Sequence, residues 1–240
     1  MTKRSAQRPA VPAPASPATT PRRRILLVDD HPFMRAGLGA LIDRQPDMQV
    51  CGEAGQPAEA LQAIARQHPD LVLTDLTMPG RSGLEFVKDM KAAHPEVAIL
   101  IMSMHDESVF AERALRAGAR GYIMKEAGGE NLLTAIRQVL RGEVYVSPRM
   151  SARILEDLSG TKPRGSSSPI EKLTDREFEI FQLIGHGKST RDIAEQLHLS
   201  PKTVDVHRAN IKEKLDLTDV TALIRHAVRW VETQGKTEET

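Results

Sequence analysis

The sequence has little cysteine and no long hydrophobic run. Its one cysteine, Cys51, excludes an intrachain disulfide and any zinc site built from several cysteines. None of the eight histidines lies at a tight metal-ligand spacing. No apolar stretch approaches the roughly 18 residues of a membrane-spanning helix, and the basic N-terminus lacks the apolar segment of a secretory signal. We therefore expect a protein of a reducing, cytoplasmic compartment that does not enter a membrane.

Strong charge of one sign is also lacking beyond the first 24 residues. Residues 1–24 carry six Lys/Arg and no acid, whereas residues 25–150 carry 13 basic and 17 acidic residues. Residues 166–240 carry 11 basic and 13 acidic residues. Charge alone therefore does not indicate a nucleic-acid-binding protein, and that function would have to follow from sequence pattern.

Two segments show no hydrophobic period and divide the chain. Residues 1–22 form a basic stretch rich in Pro and Ala, which predicts a disordered tail. The stretch SGTKPRGSSSP (159–169) is typical of a flexible linker. We expect one domain over 23–145, a linker over 146–168 with room for a short helix, and a second domain over 169–236.

Short apolar runs recur at a nearly constant interval in the first domain, with helical patterns between them. This alternation predicts an α/β fold, a doubly wound five-stranded parallel sheet of flavodoxin-like order 2-1-3-4-5 covered on both faces. The five runs are ILLV from Ile25, MQVC from Met48, LVL from Leu71, VAILIM from Val97 and GYIM from Gly121.

Only helical patterns follow the linker. Thr174 and Glu177 form a capping-box signature, and Ser189 and Ser200 are placed to cap the next two helices. A fourth helix is predicted to begin near Thr218. A short helix, a tight turn and a second helix make a helix-turn-helix, so we expect a small all-α domain of four helices.

Carboxylates follow two strands that are neighbours in the expected sheet. Asp29 and Asp30 come directly after the first strand and Asp75 after the third. Two carboxylates 4 Å apart repel by about 4 kcal/mol at an effective dielectric constant of 20, so three on one rim need a proton or a cation. Mg²⁺, which takes oxygen ligands, fits this need. The alternative, that the acids only solvate loop ends, would be adequate for a single acid.

A hydroxyl and an ammonium group follow the next two strands. Ser103 follows the fourth strand and Lys125 follows the fifth. Each alone is ordinary, as a turn residue or a surface lysine. Together with the acids they outline a phosphate-sized site, which indicates phosphoryl transfer to a carboxylate.

Four motifs in this region resemble the receiver domain of bacterial two-component response regulators: ILLVDDH (25–31), LVLTDLTMPGRSG (71–83), ILIMSMHDE (99–107) and GARGYIMK (118–125). The resemblance implies that Asp75 is the phosphoacceptor and that Mg²⁺ is the cofactor. It also implies that Ser103 and Lys125 sense the phosphoryl group and that Tyr122 is the aromatic switch residue. The implied metal ligands are Asp29, Asp30, Asp75 and the backbone carbonyl of Thr77.

The third C-terminal helix, SPKTVDVHRANIKEKL (200–215), has an outward face of small, apolar and charged side chains that suits a major groove. Thr203 and Arg208 are candidates for phosphate contacts. The alternative is an amphipathic helix with a solvated face, and charge alone favours that alternative. The candidate DNA-binding residues are Lys202, Thr203, Asp205, Val206, His207, Arg208 and Lys212.

The segment LTDREFEIFQLIGHGKSTRDIAEQLHLSPKTVDVHRANIKEKL (173–215) resembles the LuxR-type helix-turn-helix of the NarL/FixJ family of response regulators. It departs from the family at Ser189-Thr190, often Asn-Lys, and at Asp205, where several relatives carry lysine. The resemblance implies a transcription regulator that accepts a phosphoryl group from a sensor histidine kinase. It also implies that the protein binds promoter DNA, as a homodimer formed through the fourth helix.

Two other classes of function remain open at this point. A Mg²⁺-dependent phosphohydrolase with an aspartate nucleophile usually carries a second acid two residues later, but here Thr77 takes that place. We therefore expect no enzyme beyond phosphoryl transfer and slow self-dephosphorylation. An interaction module independent of phosphorylation would not need the set of Asp75, Ser103 and Lys125.

Overall fold

A computed structural model of the chain describes residues 21–78, 83–105, 107–158 and 169–235. Nearly all of the tail over 1–22 and the second half of the linker lie outside the described residues. Within those ranges, no helix combines the length and the apolar character that crossing a membrane requires.

The first domain contains one parallel sheet with the strand order β2-β1-β3-β4-β5, as the sequence predicts. Its strands are apolar on both faces because helices cover both faces. Their carboxyl ends lie along one edge, which is where a doubly wound sheet binds its ligands. The strands are β1 Arg23–Val28, β2 Met48–Ala54, β3 Leu71–Thr74, β4 Ala98–Ser103 and β5 Gly121–Met124.

Five helices cover the sheet in two layers. Side chains of α1 and α5 pack with Ile25 and Leu27 on one face. Those of α2, α3 and α4 pack with Leu26 and Val28 on the other face, in a core that continues into the C-terminal helices. The helices are α1 Pro32–Asp43, α2 Pro57–Gln67, α3 Gly83–Ala93, α4 Glu107–Ala117 and α5 Gly129–Leu140.

The rest of the described chain is helical. Arg153 of α6 donates a hydrogen bond to the carbonyl of Ser108 at 3.1 Å, so α6 lies against α4. The four predicted C-terminal helices are present, although the last begins at Val220 because Asp219 caps it through the backbone N–H of Ala222 at 2.7 Å. The bounds are α6 Pro148–Leu158, α7 Asp175–Gly185, α8 Thr190–Gln196, α9 Pro201–Lys214 and α10 Val220–Gly235.

The predicted capping box of α7 is confirmed, and it carries an additional ion pair. Glu177 accepts a hydrogen bond from the Thr174 backbone N–H at 2.8 Å, and the Glu177 backbone N–H donates to the Thr174 hydroxyl. The same carboxylate pairs with Lys214 of α9 at 2.6 Å. Burial alone would raise the pKa of Glu177, but these donors hold it below its usual value. The ion pair thus joins α7 to the end of α9.

Replacing Glu177 with glutamine should lower the free energy of unfolding by about 1–2 kcal/mol at pH 7, because a buried charge-assisted hydrogen bond to Lys214 is lost. A carboxyl group with a lowered pKa in the folded state stabilises the protein above its unfolded pKa, and this contribution is lost as the pH falls. The difference between wild type and Glu177→Gln should therefore shrink below pH 4.5, the ordinary pKa of the group. Urea denaturation at pH 7 and pH 4 measures it.

Exposed Glu213 of α9 provides the control, since Glu213→Gln should change unfolding by much less at either pH. A Glu177→Gln deficit that stayed constant with pH would contradict an origin in the carboxylate charge.

Candidate phosphoacceptor site and DNA-binding helix

Two carboxylates and one lysine meet at the carboxyl ends of β1, β3 and β5. Lys125 donates to Asp29 Oδ2 at 2.8 Å and to Asp75 Oδ2 at 2.6 Å. All three side chains are almost fully buried. The parallel register brings these residues, 96 and 50 positions apart, to one point on the sheet edge. The arrangement is an acidic pocket with one fixed counter-charge.

Asp30 contributes one carboxylate oxygen to this pocket, and this oxygen accepts no hydrogen bond from the described residues. Its Oδ1 is buried and lacks a hydrogen-bond partner among the described residues. Asp29, Asp30, His31 and Asp75 each place one ligand atom within 4.8 Å of the others. A buried carboxylate oxygen without a donor carries a desolvation penalty that a cation would offset. The donor set is therefore chemically suited to a divalent ion.

Burial and ion pairing act in opposite directions on the two central groups. Burial raises the pKa of Asp75 above its usual value, and the hydrogen bond and charge of Lys125 reduce that rise without cancelling it. Burial alone would lower the pKa of Lys125, but Asp29 and Asp75 raise it. Lys125 is consequently a permanent cation in contact with Asp75.

A second group of side chains borders the pocket on the β4 side. The Ser103 hydroxyl accepts from the His105 backbone N–H at 3.1 Å, and the Tyr122 hydroxyl donates to the His105 carbonyl at 2.8 Å. The His105 ring lies 2.8 Å, Nε2 to Oγ1, from Thr77, whose backbone N–H donates to Asp75 at 3.2 Å. Burial holds the pKa of His105 below its usual value. A neutral imidazole thus connects the turns after β3 and β4.

The structure brings the predicted residues Asp29, Asp30, Asp75 and Lys125 together in one pocket. Thr77 is bonded to Asp75, and Ser103 and Tyr122 are connected to the pocket through His105 and Thr77. Two histidines were missed by the sequence reasoning. His31 follows the acidic pair directly, and His105 lies two residues after Ser103. Proximity to these motifs was the available signal, but a lone histidine next to a motif is usually an ordinary loop residue.

The C-terminal helices contact α3 and α4 of the first domain. Asp175, the first residue of α7, pairs with Lys88 of α3 at 2.8 Å and with Arg113 of α4 at 3.3 Å. The Arg113 guanidinium also donates to the carbonyls of Ile170 and Leu173 and lies 4.0 Å from the ring centroid of Phe178. Each of these partners of Arg113 belongs to the C-terminal region.

A series of rings runs from the pocket to this contact. His105 lies 4.9 Å from Phe110, centroid to centroid, and Phe110 lies 5.4 Å from Phe178 in an edge-on arrangement. Phe178 continues to Trp230 of α10 at 5.5 Å. Edge-to-face pairs at these separations are favourable beyond their burial alone. The side chain that contacts Thr77 is therefore two ring contacts away from α7.

The helix α9 exposes part of the predicted DNA-binding face. Lys202 and Asp205 are exposed, and Val206 is 53% exposed, which is unusual for a large apolar side chain. His207 and Arg208 are only half-exposed. Lys212 is half-buried, and the Thr203 hydroxyl lies 2.8 Å from that of Ser200.

Arg208 makes an intramolecular contact, and His207 is half-buried among charged side chains. Arg208 donates to the Thr190 hydroxyl at 2.6 Å and so holds α9 against α8. Burial and the nearby charge of Arg176 lower the pKa of His207, while Glu85 of α3 acts on it in the opposite direction. The negative charge of Glu85 in the first domain therefore acts on α9. A DNA contact by either residue stays a prediction.

Comparison with known proteins identifies both domains. Residues 25–137 match the response regulator receiver domain, and residues 171–227 match the bacterial regulatory proteins of the luxR family. The oxygen regulatory protein NreC of Staphylococcus carnosus is 35% identical over 86% of this chain and 97% of its own length. That of Staphylococcus aureus strain MRSA252 is 37% identical with the same coverage.

Solved structures agree with this assignment. A LuxR-family two-component response regulator from Aurantimonas is 38% identical and covers 58% of this chain and 99% of its own, with a TM-score of 0.54. RcsB of Salmonella typhimurium, 22% identical, covers 88% of this chain and 98% of its own at a TM-score of 0.62 and supports the fold. The chain belongs to the two-component response regulators of the NarL/FixJ type, phosphorylation-dependent transcription regulators in which a receiver domain precedes a LuxR-type DNA-binding helix-turn-helix.

Proposed function

We propose that Asp75 is the phosphoacceptor of this regulator and that a sensor histidine kinase is the donor. One observation carries the proposal: Asp75 is buried at the end of β3 and contacts a cation, Lys125, that is held by a second carboxylate. A carboxylate oxygen of Asp75 bonds to phosphorus as the phosphorus–nitrogen bond of the donor phosphohistidine breaks. The imidazole of the donor leaves with the electron pair and takes up a proton.

The residues Asp29, Asp30 and Asp75, with the backbone carbonyl of Thr77, would hold Mg²⁺ beside the acceptor. The unpartnered Oδ1 of Asp30 supports this assignment. The ion, when bound, supplies positive charge against the oxygens of the transferring group. Lys125 supplies a second positive charge on the Asp75 side, and the two keep the new dianion in place.

Phosphorylation biases the contact between the domains. The new phosphoryl group attracts Lys125 and the Ser103 hydroxyl. This hydroxyl accepts a hydrogen bond from the His105 backbone N–H. His105 also holds Tyr122 and packs on Phe110 of α4. A shift of this turn therefore changes the α4 surface on which Phe178 and Asp175 lie. The covalent charge selects between two arrangements of one interface.

The functional division of the chain follows from this scheme. Residues 23–145 act as the receiver, 146–168 as the connection and 169–236 as the DNA-binding domain. The C-terminal domain binds promoter DNA as a homodimer, with α10 as the dimer element and α9 in the major groove. Exposed Val220 and Ile224 on α10 support its role in pairing.

The direct test is to treat the full chain with acetyl phosphate and Mg²⁺. Mass spectrometry should show an adduct of about 80 Da at Asp75, the mass that one phosphoryl group adds. DNA binding should tighten in parallel. An unmodified mass together with unchanged DNA binding would contradict the proposal.

Replacing Lys202 with alanine should weaken DNA binding and lower the slope of log K against log salt by about 0.9, the value of one lost phosphate contact. Lys202 is exposed near the start of α9, where it can reach a phosphate beside the groove. Fluorescence anisotropy at several salt concentrations measures the slope.

Arg44→Ala removes an exposed charge from the receiver and serves as the control. Its slope should equal that of the wild type. If Lys202→Ala also kept the wild-type slope, Lys202 would lie off the DNA backbone.

A further inference from the structure

We propose that His31 is a ligand of the acidic site, and that it makes this site bind divalent ions of borderline softness, such as Co²⁺ or Zn²⁺, more tightly than its oxygen atoms alone would. The inference rests on the metal site of the proposed function. It adds a nitrogen donor to that site and with it a class of ion other than Mg²⁺.

The position of His31 in the chain gives its ring no capping role in α1. His31 is the N-cap residue of α1, yet its side chain makes no capping hydrogen bond. Helix N-caps normally use a short side-chain oxygen to accept from the first turn. Pro32 follows at the first helical position, so one of the donors that a cap would satisfy is absent.

The ring instead turns back onto the acidic pair. Its Nδ1 lies 3.1 Å from Asp29 Oδ1 and 2.9 Å from Asp30 Oδ1. Asp30 Oδ1 accepts no hydrogen bond from the described residues, so its contact with His31 lacks hydrogen-bond geometry. The His31 Nδ1 is thus hydrogen-bonded to Asp29 and also lies against a buried Asp30 oxygen that accepts no hydrogen bond from the described residues.

These atoms span a distance that one ion can bridge. The four ligand atoms of Asp29, Asp30, His31 and Asp75 lie within 4.8 Å of one another. Ligand bonds of about 2.0–2.2 Å place opposite ligands of one ion roughly 4 Å apart, so a small closure completes the shell. The His31 side chain is 70% exposed, which leaves it free to adjust and leaves the site open to entering ions.

The chemistry of the ligands sets the preference among metals. Mg²⁺ binds oxygen atoms in a strict octahedron and retains several waters, so an imidazole adds little to its affinity. Imidazole suits zinc, copper, iron and nickel, and affinity for nitrogen-containing sites rises along the first transition row. With His31 as a ligand, such an ion competes with Mg²⁺ for the pocket that contains Asp75.

The test is a titration of the full chain with Co²⁺ alone, followed by optical absorption, and with Mg²⁺ in competition. His31→Ala should weaken Co²⁺ binding by about tenfold or more, equivalent to about 1.4 kcal/mol, and change Mg²⁺ binding by less than about twofold, because only Co²⁺ gains from a nitrogen donor. His31→Asn, which keeps a polar side chain at the N-cap, should bind Co²⁺ as weakly as His31→Ala. The wild type should show a paramagnetically shifted imidazole N–H resonance that both variants lack.

His94→Ala is the matched control, since His94 is a receiver histidine that lies near Glu96 rather than near the pocket. Equal losses for Co²⁺ and Mg²⁺ in His31→Ala would show that His31 acts only by positioning Asp29, and would overturn the inference. Wild-type Co²⁺ binding without the shifted resonance would also overturn it. Asp29→Asn tests the proposed metal site separately from the inference about His31. If neither Co²⁺ binding nor Mg²⁺ binding depends on Asp29, the metal site itself is wrong.

Discussion

Replacing Asp75 with asparagine should reduce phosphoryl incorporation from acetyl phosphate to background, the largest effect expected of any single substitution in this protein. The amide keeps the size and one oxygen of the side chain but removes the charged nucleophile. Asp29 does not substitute for it, because its carboxylate is engaged by Lys125, by the His31 ring and by the His31 backbone N–H. Intact-protein mass spectrometry and radiolabelling both measure the incorporation.

The variant should remain folded, which separates loss of chemistry from loss of structure. Asp75 is a buried acid with a raised pKa, so a neutral amide in its place removes a charge that burial disfavours. We expect a thermal midpoint equal to or above that of the wild type. Asp47→Asn is the control, because Asp47 is an exposed acid paired with Arg137 outside the pocket, and it should be labelled normally. Labelling that persisted in folded Asp75→Asn would place the acceptor elsewhere.

Most of the pocket could be predicted because strand ends in a parallel sheet share one edge. The apolar runs located the strands, so the residues that follow them, such as Asp29, Asp75 and Lys125, could be placed together without coordinates. Register and burial were not needed for that step. The helix caps Thr174, Ser189 and Ser200 were predictable for a similar reason, since a cap depends only on residues within one turn.

The contact between the domains could not be predicted in this way. Arg113 and Asp175 are 62 positions apart, and each reads in the sequence as an ordinary charged residue of a helix. Nothing local distinguishes Arg113 from Arg116, one turn further along α4, which pairs with Glu112 instead. The connection through His105 and Phe110 depends on ring geometry, which periodicity does not encode. Such pairs form only where helices that are distant in the sequence pack together.

Replacing Arg113 with alanine should raise the DNA affinity of the unphosphorylated protein by about thirtyfold. Arg113 makes hydrogen bonds to Ile170, Leu173 and Asp175, and charge-assisted hydrogen bonds of this kind contribute about 2 kcal/mol, or a factor of about 30 in an equilibrium. In this arrangement, the negative charge of Glu85 acts on His207 of α9 and opposes approaching phosphates. If DNA binds only when the C-terminal helices have separated from α3 and α4, the apparent DNA affinity rises with the fraction of molecules in that separated state. Anisotropy with a promoter fragment measures the gain.

Arg116→Ala tests whether this gain comes from the contact or from a lost positive charge. It removes the same type of side chain from the same helix, but Arg116 pairs with Glu112 of α4 and its side chain is largely exposed. Its DNA affinity should match that of the wild type. Acetyl phosphate should tighten DNA binding in the wild type and add little in Arg113→Ala, because phosphorylation and the substitution act on the same interface between the domains. A full response to phosphorylation in Arg113→Ala would mean that the signal leaves the receiver through another surface.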